Sequence, residues 1–241
     1  MAEKHGGNTL PEGARYIHQI PATPLVPVSV EGAPEIWCKL EFLNPSGSMV
    51  DVLEEARQAS EKEGWFLGRQ FVNTDNTEAH RLYTGAEILS QIPGGCVDAV
   101  VSGVGTGGTL RGLYEAFHQA GCRVSANAAI PRQGELFGSN LECCSLKFSS
   151  DVPGVADGIS ELYGEWDCED LQEREVGDGE CLELTRKLWG MGFPVGPSSG
   201  LNFAAALQVA GDLKSGAKIV TVFPDRMERY FSHKVFDGYR S

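Results

Sequence analysis

Apolar residues along this chain gather in short dense runs separated by polar, helix-forming stretches. Residues 97–103 (VDAVVSG) and 218–223 (KIVTVF) are compact β-branched runs, the pattern of strands buried on both faces of a parallel sheet. Residues 25–30, 36–40, 123–130 and 171–176 read as further strands, and Val195 begins a short one. Helix formers fill 51–63, 77–92, 109–120, 178–190 and the alanine-rich 201–214. Gly64 is a stop for the first of these, Ser48 or Asp51 a cap, and Gly85 an interruption of the second. Residues 198–200 (Ser-Ser-Gly) read as a turn. Residues 1–24 read as an irregular arm, and 131–168 have no clear period. From residue 97 onward strands alternate with helices. That predicts an α/β fold, a mostly parallel sheet with helices on both faces, built as one unit over residues 1–241.

Composition narrows the partners. The 20 Lys and Arg against 33 Asp and Glu give a formal charge of −13, and no basic run breaks the pattern. A nucleic-acid groove or an anionic membrane surface is therefore not expected. No apolar stretch is long enough to span a bilayer and the first residues carry no signal-like segment, so a cytoplasmic protein is expected. The seven cysteines make no CxxC pair and no zinc spacing, so no metal is expected. Glycine is in excess: 30 of 241 residues, against a usual ~7%.

Some of those glycines cluster where chemistry is expected. Ser102-Gly-Val-Gly-Thr-Gly-Gly-Thr109 follows a strand and opens a helix. Backbone N–H groups and the helix dipole favour an anion there, and Thr106 and Thr109 add hydroxyls; the alternative is a tight turn holding nothing. Gly103, Gly105 and Gly108 also fit G-x-G-x-x-G. A dinucleotide site would need an acid at the end of the next strand, and that strand ends Ala128-Ala-Ile-Pro131. No P-loop pattern occurs. A second strand-to-helix turn, Gly196-Pro-Ser-Ser-Gly200, places Ser198 and Ser199 as ligand groups or as helix caps. Asp225 follows the last strand, at the sheet edge where ligands sit in open α/β folds.

Taken in order, these motifs resemble cysteine synthase (O-acetylserine sulfhydrylase) and its relatives, the fold type II, β-family of pyridoxal-phosphate (PLP) enzymes. Thr23-Pro-Leu25 is similar to the family's T-P-L opening, and Lys39-Leu-Glu41 with Asn44-Pro-Ser-Gly-Ser48 to K-L-E…N-P-[ST]-G-S. Gly105-Thr-Gly-Gly-Thr109 resembles the loop that grips the PLP phosphate, and Gly154-Val-Ala-Asp-Gly158 the G-I-x-x-G segment. Gly196-Pro-Ser-Ser-Gly200 resembles the turn whose first serine bonds the pyridine nitrogen, which implies that role for Ser198. Phe223-Pro-Asp-Arg-Met-Glu-Arg-Tyr230 is similar to P-D-x-x-E-R-Y. The resemblance also implies a homodimer.

Two departures bear on activity. In the family, N-P-S-G-S is followed by [VTIM]-K-D-R, whose lysine forms the Schiff base. Here the chain runs Ser48-Met49-Val50-Asp51-Val52, and Val50 has no amine. Lys39 belongs to the preceding strand motif and is no substitute. The family's S-G-N-T-G loop is also absent, which implies a deletion near 51–55 that removes most of the smaller domain. Ordinary β-replacement is therefore not expected. No cofactor is expected either: PLP not covalently bound, with a phosphate or other anion possible in the 105–109 loop. Three readings stand. One is a repurposed, PLP-independent lyase, isomerase or cyclase acting on a small anionic or carbonyl-bearing metabolite, slightly preferred. Another is a non-catalytic pseudoenzyme that binds and regulates a true synthase or another partner. The last is a PLP or phosphate-metabolite binder without chemistry. His80, Tyr83 and Asp225 are the candidate acid–base groups. Gly105, Thr106, Gly107, Gly108, Thr109, Ser198 and Ser199 are the candidate ligand groups, with Ser46, Ser48 and Asn73 beside them.

Overall fold

The computed structural model describes residues 22–41, 71–132, 147–148, 152–157 and 160–239. The expected helix at 51–63, the cap residues Ser48 and Asp51, and Ser46 and Val50 lie outside them. Eight described strands run β1 Leu25–Val28, β2 Glu35–Lys39, β3 Ala99–Gly103, β4 Ser125–Arg132, β5 Lys147–Phe148, β6 Ala156–Asp157, β7 Leu171–Gly177 and β8 Lys218–Val222. Six of them form one sheet in the order β1-β2-β8-β3-β4-β7, while β5 and β6 pair separately. Only β1 and β2 in that larger sheet run antiparallel; its other pairings are parallel, as the buried β-branched runs predict.

The helices are α1 Asp75–Ala79, α2 Gly85–Gln91, α3 Gly108–Gln119, α4 Glu161–Gly164, α5 Asp178–Gly190 and α6 Pro197–Asp212. A wider π turn over His80–Thr84 joins α1 to α2 without a break. Gly85 therefore does not interrupt the helix. It lets α2 lie on α3, because a Cβ added there would stand 2.4 Å from the Cβ of Ala116. Residues 198–200 are not a turn either: α6 begins at Pro197, whose fixed φ suits a first helical residue. Val195 makes a single bridge to Arg226 instead of a strand.

Each central strand feeds two cores. Ile36, Cys38, Ala99, Val101 and Ile219 face one side with α5 and α6. Trp37, Val100, Val220 and Val222 face the other with α2 and α3, as the two-residue period of a strand requires. Helix α3 buries Leu110, Leu113 and Phe117 along one stripe. In α6 nearly every residue from Leu201 to Ala206 is buried, so small alanines are needed all round it. Gly200 carries this furthest: a Cβ would sit 2.2 Å from the carbonyl oxygen of Cys181 on α5.

Among the described residues one charged side chain is fully buried, Lys39 at the end of β2. Its Nζ is 2.6 Å from Glu87 of α2 and donates to the carbonyl oxygen of Thr23 at 2.6 Å. A buried cation is tolerable only with such partners. The Thr23 hydroxyl donates to Glu41 at 2.8 Å, and burial pushes the Glu41 carboxyl above its ordinary range.

Candidate functional site

Strand β3 ends at Gly103 and the chain turns through 104–107 into α3, with Gly107 in the left-handed region at φ +78°. A side chain at Gly107 would meet the Cβ of Tyr163 at 2.8 Å, and one at Gly105 the carbonyl oxygen of Gly154 at 2.6 Å. The glycines are thus required by the segments that press on the loop from outside. Those segments include Gly154, the start of the family-like 154–158 stretch, and Tyr163 of α4.

The loop is also held by hydroxyls. Ser160 donates to the carbonyl oxygen of Thr106. The Thr106 Oγ1 accepts from Asn76 Nδ2 at 2.8 Å and from the Gly108 N–H at 3.2 Å. With both lone pairs engaged, its proton is free to be donated. His80 Nε2 lies 3.0 Å from Thr109 Oγ1, and Nδ1 lies 3.2 Å from Thr84 Oγ1. Asn73 accepts from the Asp75 N–H at 3.0 Å and so opens α1. Tyr83 is 39% exposed on the same π turn as His80.

The second half of the site stands on α6. Its cap is Gly196, so neither serine caps it. Ser198 Oγ donates to Asp225 Oδ1 at 3.1 Å, and the Tyr230 hydroxyl donates to Asp225 Oδ2. Burial pushes the Asp225 carboxyl up, partly offset by those two bonds and by the Arg229 charge. Burial, with the Asp225 charge beside it, pushes the Tyr230 phenol up as well, so it stays a donor. Gly196 makes room for the pair: a Cβ there would lie 2.5 Å from Asp225 Oδ1. Ser199, one residue on, is fully buried, and its Oγ has no partner among the described residues.

Asn202 joins the two halves, and sequence reasoning passed over it. Its Oδ1 accepts from the Gly103 N–H at 2.6 Å and its Nδ2 donates to the Val222 carbonyl at 2.8 Å. It stands four residues after Ser198 and so shares its helix face. It ties the ends of β3 and β8 to α6. The one available signal was an amide within the apolar run from Leu201 to Leu207. The structure thus brings the 105–109 loop, Ser198 and Asp225 to one edge of the sheet, with His80 behind the loop.

His80 supplies a prediction. Burial lowers its pKa from 6.5 to about 4, so it is neutral near pH 7 and serves Thr109 through hydrogen bonds. The unfolded chain protonates this ring below pH 6.5 and the folded chain only near 4, so stability falls with pH across that window. The loss is about 2 kcal/mol by about pH 5. The raised carboxyls of Asp225 and Glu41 act in the opposite sense. Urea denaturation of the wild type and His80→Gln near pH 7 and near pH 5 checks it: the variant's pH dependence should be flatter by that amount.

A mostly parallel sheet with a glycine loop opening one helix and two serines in the first turn of another, both at its carboxyl edge, is the fold type II architecture of PLP enzymes. The match is specific: residues 49–225 fit the family model described as pyridoxal-phosphate dependent enzyme, and the chain belongs to that family. It is 32% identical to a cysteine synthase of Staphylococcus aureus over 198 residues, 79% of this chain and 60% of that protein. It is 33% identical to an O-ureido-L-serine synthase of Streptomyces lavendulae, over 76% of this chain and 55% of that one. The chain thus spans less than two thirds of these relatives' length. The crystal structure of an Entamoeba histolytica cysteine synthase superposes with a TM-score of 0.76, covering 98% of this chain and 94% of that one at 20% identity.

These findings overturn the expectation of no cofactor: the family's members are PLP-dependent. That expectation rested on the missing lysine at Val50 and on the absent S-G-N-T-G loop. A lysine is one anchor among several, and losing it leaves the 105–109 loop and the Ser198 end of α6 standing. The residues present fit the group. Among the described residues the backbone N–H groups of Gly105, Thr106, Gly107 and Thr109 have no protein acceptor, at the amino end of a 12-residue helix. That suits a phosphate ester.

Proposed function

We propose that this chain holds PLP at the carboxyl edge of its sheet as a cysteine synthase-like protein that does not perform ordinary β-replacement. When bound, PLP supplies an electron sink for bonds at an amino acid's α-carbon. The chain's own residues position it. The free N–H groups of Gly105, Thr106, Gly107 and Thr109 and the Thr106 proton take the phosphate, while Ser198 meets the ring. The observation that carries the reading is the unpartnered loop N–H set together with the Ser198–Asp225 pair on the same edge.

Two further facts support the negative part. Val50 has no amine, and the nearby strand lysine, Lys39, is held by Glu87 and Thr23 on the face that packs against α2. We also propose that most of the smaller domain is missing near 51–55. The absence of an S-G-N-T-G loop and the 60% span of the S. aureus relative support this.

Titration with PLP, read by tryptophan fluorescence, should show saturable binding. Thr106→Val should weaken it by about tenfold to a hundredfold, the worth of one hydrogen bond to a charged group. No cysteine should form from O-acetylserine and sulfide. Absence of PLP binding would overturn the first part, and sulfide-dependent turnover the second.

A further inference from the structure

We infer that Cys96 and Cys122 are a modification site of this chain: a reversible disulfide, made by exchange with a small soluble disulfide, that clips the entries to β3 and β4 together. The site stands apart from the PLP reading, and no residue of the 105–109 loop or of the Ser198 end of α6 takes part in it.

Nothing in the sequence spacing joins these two cysteines; the parallel pairing of β3 with β4 does. Ala99 stands opposite Ser125. Each cysteine lies three residues before its strand's member of that pair, so the same register sets Cys96 opposite Cys122. The Cys96 backbone is extended, at φ −140° and ψ 149°. The Ser125 N–H donates to the Asp98 carbonyl at 3.0 Å, which carries the alignment back past the strand ends. Neighbouring strands run about 4.8 Å apart, and a disulfide needs Cα atoms about 4.4–6.8 Å apart. Side-chain contacts agree with this placement. Cys122 Sγ lies 3.9 Å from the carbonyl oxygen of Gly95, the residue before Cys96. The Cys122 thiol also hydrogen-bonds the Cys96 sulfur. The backbone can give as the sulfurs close, because Gly95 at φ +61° precedes Cys96 and Gly121 at φ +83° precedes Cys122.

The two sulfurs differ in access. Cys96 is exposed, whereas Cys122 is 4% exposed. A dissolved reagent therefore meets Cys96 first. As its thiolate, Cys96 attacks one sulfur of the small disulfide; that S–S bond breaks, one small thiolate leaves, and a mixed disulfide remains on Cys96. Burial, with Cys96 beside it, pushes the Cys122 thiol up, so it keeps its proton until this point. Cys122 then gives that proton to solvent and attacks Cys96 Sγ, releasing the second small thiol. The chain loses two electrons and its two thiol protons, and the small disulfide leaves as two thiols. The second step is intramolecular, which offsets the raised thiol. The bridge closes a segment that contains β3, the glycine loop and α3, and so removes freedom from the unfolded chain.

The test treats the full chain in native buffer with excess glutathione disulfide, quenches with acid and digests with trypsin without reductant. Cleavage after Arg81, Arg111 and Arg123 puts the cysteines on separate peptides, 82–111 and 112–123. These should appear joined, at the sum of their masses less two hydrogens, and should separate on adding dithiothreitol. Cys96→Ser should leave Cys122 free of glutathione, and Cys122→Ser should hold glutathione on Cys96. In urea the oxidised wild type should show a folded-to-unfolded ratio about a hundredfold above that of the reduced chain, a gain that Cys96→Ser should lack. If Cys122→Ser does not fold, the wild type and Cys96→Ser, which is altered only at an exposed position, still decide. No joined peptide in native buffer, a joined peptide that forms only in urea, or Cys96 joined to a different cysteine overturns the inference. So does an oxidised chain no more stable than the reduced one. Each of these results leaves PLP binding untouched, and a failure to bind PLP leaves the disulfide untouched.

Discussion

Asn202→Ala is expected to lower the stability of the folded chain by about 3–5 kcal/mol and to abolish measurable PLP binding. The side chain is 2% exposed and bonds two backbone groups that lie far apart in sequence, Gly103 N–H and Val222 C=O. Truncation leaves both without partners and opens a small void. Each stranded buried group costs about 1–3 kcal/mol, and the void adds to that. The functional loss follows from position. Gly103 is the last residue of β3 before the glycine loop, and Asn202 is one turn from Ser198, so the variant uncouples the two halves of the site. Urea denaturation measures the first effect and PLP titration of the still-folded fraction the second. Wild-type stability in Asn202→Ala would show that the clamp is dispensable.

Gly107→Ala is expected to weaken PLP binding by at least about tenfold and to cost about 2–3 kcal/mol of stability. Two effects add. At φ +78° an alanine is strained, by about 1 kcal/mol or more. Its Cβ would also stand 2.8 Å from the Cβ of Tyr163, an atom next to backbone that cannot swing aside. The loop must move, and the N–H groups proposed to hold the phosphate move with it. The same two measurements decide it. Unchanged PLP affinity in a folded Gly107→Ala would show that the loop does not hold the phosphate.

Much of the scaffold was legible because it is local. The β-branched runs at 97–103 and 218–223 became β3 and β8, and the apolar stripe of 109–120 became α3. The errors were local signals overridden by contacts. Gly85 read as a break, yet its missing Cβ is what lets α2 rest on α3. Ser-Ser-Gly read as a turn, yet Pro197 starts the helix and Gly200 packs against α5. In the site, the glycine loop and the serine turn were visible as motifs. Their joining by Asn202 was not, since Gly103 and Asn202 are separated by 99 positions. Nor was the role of Tyr230, which reaches Asp225 only because the chain folds back after β8.

The sequence by itself determined which segments become buried parallel strands, where a glycine-rich loop joins a strand to a helix, and that residue 50 has no amine. Those follow from side-chain shape, apolar period and functional group, all properties of residues taken singly or in short runs. Tertiary structure alone decided that Lys39 is bound to Glu87 in the interior, that His80 is neutral behind the loop, and that Ser198 donates to Asp225. Each of these depends on burial and on a partner brought close by folding. The energy of a charge or a proton is set by what surrounds it, which the order of residues does not state.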